Sequence, residues 1–160
     1  MINDMKDNKE IIAVLNDLIK INVDRITGYE KAINDLDSSE VMLKTLFTQV
    51  SEDSVDIKSQ LTEQVIALGG EPASERTLPG AIYQAWMDVK ATFSGHDTGS
   101  TLEACEFGED AAQKAYQAAL KAGNDFPADI KHMITSQKSL LKMSHDLIRT
   151  QRDQHKEIAN

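Results

Sequence analysis

The stretch between Gly69 and Ser100 constrains this chain more than any other. A helical pattern runs from Ser39 to Leu68 and stops at Gly69-Gly70-Glu71-Pro72, and the next long pattern opens only at Ser100. Long helical patterns also run roughly from Asn8 to Asp35 and from Pro127 to Asp153. Four long helices joined by a short, a long and a short connection differ from an up-down-up-down bundle, whose loops are all short. The expectation is an all-α chain: a four-helix bundle with a long helical crossover between helices 2 and 3. Its 160 residues suit one domain spanning 1–160. The helices are placed roughly at 8–35, 39–68, 79–93, 100–122 and 127–153.

The apolar spacing supports each assignment. Helix 1 carries Ile11, Leu15, Leu18, Asn22, Ile26, Tyr29 and Ile33 at intervals of three and four, as one helical face requires. Helix 2 carries Leu43, Leu46, Phe47, Val50, Ser54, Ile57, Leu61, Val65 and Leu68, with Asp37 and Glu40 read as its capping box. Gly69 is expected to end it in the left-handed conformation that glycine adopts cheaply. The crossover helix opens at Thr77-Leu78-Pro79-Gly80 with the stripe Ile82, Trp86, Val89 and Phe93, and Trp86 is expected to seal core. A polar loop follows, with His96 in solvent. Helix 3 opens on Ser100 with Glu103 as a second capping box, and carries Leu102, Cys105, Glu109, Ala112, Tyr116 and Ala119. Helix 4 follows Pro127 and carries Ile130, Ile134, Gln137, Leu141, Ser144 and Ile148. Asn22, Ser54, Gln137 and Ser144 fall on apolar stripes and are expected to hydrogen-bond inside the bundle. Tyr29 and Tyr116 are expected there too, each hydroxyl reaching a polar partner.

Charge and composition exclude several functions. A net charge of -9 repels phosphate backbones, which argues against nucleic acid, and no Lys/Arg block is present to dock an anionic membrane. Cys105 is the only cysteine, so no intramolecular disulfide can form, and its place on an apolar stripe marks a small buried hydrophobe. The N-terminus lacks a basic region followed by an apolar core, and no apolar run approaches the ~20 residues of a membrane span. The composition reads as a soluble cytoplasmic protein.

A single long crossover is the connectivity of ferritin-like bundles, which often hold a di-metal site between their helices. Such a site takes a Glu from each of two helices and a Glu-x-x-His from each of the other two. This chain has no Glu-x-x-His. Antiparallel pairing within each half, with helices 2 and 3 parallel and their starts aligned, places Glu30, Glu106, Glu109 and His145 in one layer to within ~5–8 Å. Helix 2 brings Phe47 and Val50 to that layer and no carboxylate. Three carboxylates and an imidazole would suit iron or manganese. The alternative is that Glu30 and Glu106 point to water, while Glu109, on the stripe itself, takes a buried partner such as His145, Lys142 or a tyrosine.

Several of these residues together resemble one family. Gly28-Tyr29-Glu30-Lys31-Ala32, Leu68-Gly69-Gly70-Glu71-Pro72, Gly80, Trp86, Cys105-Glu106-Phe107-Gly108-Glu109-Asp110 and His145 are similar to a bacterial family of ferritin-like four-helix bundle proteins of unknown function. The resemblance spans helix 1 to helix 4. It implies the fold and a broad association with bacterial stress-related bundle proteins, and supplies no activity. Two readings stand. In the leading one the chain is a non-enzymatic bundle that self-assembles as a homo-oligomer or binds a partner, through apolar residues outside the core stripes such as Ile12, Ile19 or Met42. In the other it is a metal-binding oxidoreductase or metal-storage protein using Glu30, Glu106, Glu109 and His145.

Overall fold

The computed structural model describes residues 2–90 and 97–159, with side chains for 8–88 and 97–158. Val89, Phe93 and His96 therefore lie outside the described side chains. Five helices appear: α1 (Ile2–Asp35), α2 (Val41–Ala67), α3 (Ala81–Lys90), α4 (Thr98–Ala122) and α5 (Ala128–Ala159). The outer two run longer than the apolar stripes suggested. No Pro or Gly interrupts residues 1–27 or 128–160, so nothing in the sequence stops the helix where the stripe fades. The most extensive packing joins α1 to α2 and α4 to α5, while α3 lies against α4 and α1. This is a bundle of four long helices with a helical crossover.

The ends of the helices follow local chemistry. Gly69 takes φ 83°, its N–H donates to the Ile66 carbonyl at 2.9 Å, and the Gly70 N–H donates to the Val65 carbonyl at 3.0 Å. Those two bonds make the Schellman closure that a left-handed glycine permits. Both expected capping boxes move. Asp37 accepts from the N–H and hydroxyl of Ser39, closing the turn before α2, and Glu40 occupies the N-cap without a side-chain bond. Asp97, three residues ahead of Ser100, caps α4 by accepting from its N–H at 2.8 Å. Asp bonds readily to nearby backbone, so Asp37 closes a turn ahead of α2 and Asp97 takes the capping place from Ser100.

Helix α1 holds the crossover in place. Asn16 donates to the Glu71 carbonyl and accepts from Ala73 N–H, and Lys20 donates to the Thr77 carbonyl. Asp17 accepts from the N–H groups of Gly80 (2.9 Å) and Tyr83 (3.2 Å), capping α3 from another helix. Gly80 is needed for that approach, since a Cβ there would stand 2.5 Å from an Asp17 carboxylate oxygen. Asp24 accepts from Tyr83 hydroxyl and from the indole N–H of Trp86, whose ring is buried as expected. Because α1 meets α2, α3 and α4, its buried arc is wide. Ile19 is consequently core and Ile12 packs against the core, whereas Met42 is 83% exposed. Ile12 and Ile19 are thus withdrawn from the surface to which the sequence had assigned them.

Candidate functional site

A polar layer crosses the bundle between two apolar clusters. One cluster gathers the ends of the helices around Leu15, Leu61, Trp86 and Ile134; the other gathers Tyr29, Phe47, Leu102 and Ile148. Between them α1 presents Asn22, Arg25 and Tyr29, spaced by three and four so that all three share a face. Arg25 and Glu109 are both wholly removed from solvent and pair at 2.5 Å. The other guanidinium arm donates to Ser54 Oγ on α2. Tyr29 hydroxyl donates to the same Glu109 oxygen at 2.5 Å. Beside this pair runs a second chain. Asn22 donates to Tyr116 hydroxyl at 3.2 Å, Tyr116 donates to Gln137 at 2.9 Å, and Gln137 donates to Gln60 at 3.1 Å. The long helices are thus joined through polar side chains, which fix their relative height.

The electrostatics follow from burial. Burial opposes the charge on Arg25, but the facing Glu109 outweighs it and raises the guanidinium above its ordinary value. Burial, reinforced by the Glu109 charge, pushes the Tyr29 phenol well up, so it stays a protonated donor. Burial raises Tyr116 likewise. Cys105 is buried and its thiol is pushed up by burial and then by Glu109, so it is a packed thiol with no nucleophilic character.

A second group stands at the α4–α5 edge. Glu106, Asp110 and His145 each offer a ligand atom within 4.8 Å of the others. His145 Nε2 lies 2.5 Å from Asp110 and Nδ1 lies 3.1 Å from Asp146. Partial burial works against a charged imidazole, but the hydrogen bonds to Asp146 and Asp110 prevail and raise its pKa above 6.5. Glu106 pairs with Arg152. Of the four sequence-derived candidates, Glu106 and His145 therefore come together. Glu109 is engaged by Arg25 and Tyr29 in the interior, and Glu30 is exposed and outside the group. The layer also meets α2 at Ser54, about a turn or two beyond the expected Phe47 and Val50, because on α1 it is centred at Arg25, more than a turn before Glu30. Arg25 and Asp110 were missed as site residues. Arg25 had a signal: it lies three residues after Asn22 and four before Tyr29, on the stripe itself.

Residues 10–122, from α1 through α4, match a family described as a domain of unknown function, DUF2383. The chain belongs to the DUF2383 family. No curated protein matches it. Among solved structures, it is similar to one described as ferritin like, diiron-carboxylate proteins from Bacillus anthracis str. Ames, with TM-score 0.67 and 17% identity over 95% of this chain and 99% of that one. At that identity the likeness establishes the ferritin-like fold alone. A di-iron pair does not fit the interior of this DUF2383 chain. Such a pair needs carboxylates from all four helices. Around Glu109 the described residues supply one carboxylate, one guanidinium, a phenol and a hydroxyl. A fixed guanidinium beside the only carboxylate would repel a metal cation. No helix among the described residues is long and apolar enough to cross a membrane.

Proposed function

We propose that this chain acts by association, as a non-enzymatic bundle that assembles with copies of itself. The observation that carries this reading is a second apolar line on α5, apart from its core stripe. Leu140, partly buried, is followed by Met143 (64% exposed), Leu147 (51%) and Ile158 (85%). The intervals of three, four and eleven residues bring all four onto one face, and the full span of eighteen is five helical turns. Methionine and leucine in such a line make an adaptable contact surface. The interior supports the same reading, since its central carboxylate is already committed to Arg25. Sedimentation velocity across a concentration series tests it. Wild type is expected to form a concentration-dependent oligomer that Met143→Glu/Leu147→Glu abolishes without lowering helicity. A strictly monomeric wild type at high concentration sinks the reading. The family resemblance extends it to a bacterial, stress-associated role, and the composition and net charge of -9 extend it to a cytoplasmic setting without nucleic-acid or membrane partners.

A second reading rests on Glu106, Asp110 and His145. Two carboxylates and an imidazole suit a single iron or manganese ion. Binding there would require Glu106 to leave Arg152 and His145 to give up its proton. Mn(II) titration followed by electron paramagnetic resonance is expected to show one site per chain, lost in His145→Ala and retained in Glu109→Gln. No bound Mn(II) in wild type rules it out.

A further inference from the structure

The interior of a ferritin-like bundle needs a positive charge to answer whatever carboxylates its helices turn inward. In a di-metal site that charge comes from metal ions held by four or more carboxylates. In this chain the answer differs: Glu109, a carboxylate with no exposed surface, faces Arg25, a guanidinium with none. We propose that Arg25 is the resident cation of this bundle and excludes divalent metal from Glu109. Three observations support the assignment. Arg25 reaches two other helices at once, donating to Ser54 on α2 and to Glu109 on α4, so a single side chain bridges helices that metal ions would bridge. Tyr29 adds a hydroxyl to the same Glu109 oxygen, so that oxygen already accepts two strong donors. Neither Arg25 nor Glu109 has any exposed side-chain surface, so the guanidinium cannot leave for water without opening the bundle. The pair meets through one guanidinium arm, since Glu109 Oε2 and Arg25 Nε have no hydrogen-bond partner among the described residues.

The role is separable from mere packing by chemical rescue. Arg25→Ala is expected to lower the thermal midpoint. Methylguanidinium at millimolar concentration is expected to restore part of the loss, an equal concentration of sodium chloride is not, and Arg25→Ala/Glu109→Gln is expected to show no rescue. Co(II) provides a second readout by its visible absorption. Wild type and His145→Ala are expected to give no Co(II) signal that depends on Glu109, which sets this apart from any ion at the α4–α5 edge. If Arg25→Ala does not fold, Arg25→Lys serves: it keeps the charge, loses the fork to Ser54, and is expected to fold and still refuse Co(II) at Glu109. Co(II) binding in His145→Ala that disappears with Glu109→Gln would overturn the proposal. So would rescue by sodium chloride as effective as by methylguanidinium.

Discussion

An arginine taken out of water needs a counter-charge, and Arg25 finds one carboxylate, 84 residues away in sequence. Breaking a buried pair by removing one partner costs about 3–5 kcal/mol, whereas replacing both with apolar residues of similar volume is often neutral. Arg25→Met and Glu109→Leu are each expected to fall in that range by urea denaturation, and the double variant to recover most of the loss. Additive losses would show that the two residues act independently. His145 behaves in the opposite electrostatic regime, near the surface and open to titration. Its folded pKa is raised, so protonation favours the folded state. The contribution is full below the ordinary value of 6.5 and is lost as pH rises through the higher folded value. The stability gap between wild type and His145→Gln is therefore expected to shrink from pH 6 to pH 8. A gap that widens over that interval would contradict the Asp110 and Asp146 contacts.

At the scale of elements, what was legible in sequence was local. Four apolar stripes, the Gly69 stop and the length of the crossover all lie within a few residues of what they determine. The anchoring of the crossover was not legible, because Asn16, Asp17 and Asp24 meet partners some 55 to 66 residues away and look like ordinary polar positions on a solvated face. The same limit hid the core positions of Ile12 and Ile19 and the height at which the polar layer meets α2. Arg25 was hidden for the same reason: Glu109 was expected to take a buried partner, but that partner lies 84 residues away in sequence, beside Ile26 on the stripe of another helix. Two substitutions test the element-level account. Asp17→Ala removes the acceptor for two N–H groups of α3 and is expected to cost about 1–2 kcal/mol. Faster amide exchange should follow in residues 80–88. Gly69→Ala forces a side chain into φ 83° and is expected to cost about 1 kcal/mol in the urea midpoint. Unchanged exchange in the first case, or an unchanged midpoint in the second, would contradict the anchoring and the stop as described.

At the scale of the molecule, the DUF2383 chain keeps the ferritin-like frame and answers its central carboxylate with an arginine. On the proposed reading, a frame filled in this way leaves the free surface as the place to look for function. The α5 line of Met143, Leu147 and Ile158 is a part of that surface where apolar side chains recur at helical spacing. A net charge of -9 also means that copies must meet through such apolar contacts against mutual repulsion, so assembly is expected to strengthen as salt is raised. The measurement that bears most directly on this account is native mass spectrometry of the untagged protein, because it reads assembly and metal content together. The account predicts multiples of the 17.7 kDa chain carrying no metal pair; a monomer holding two metal ions per chain would contradict it.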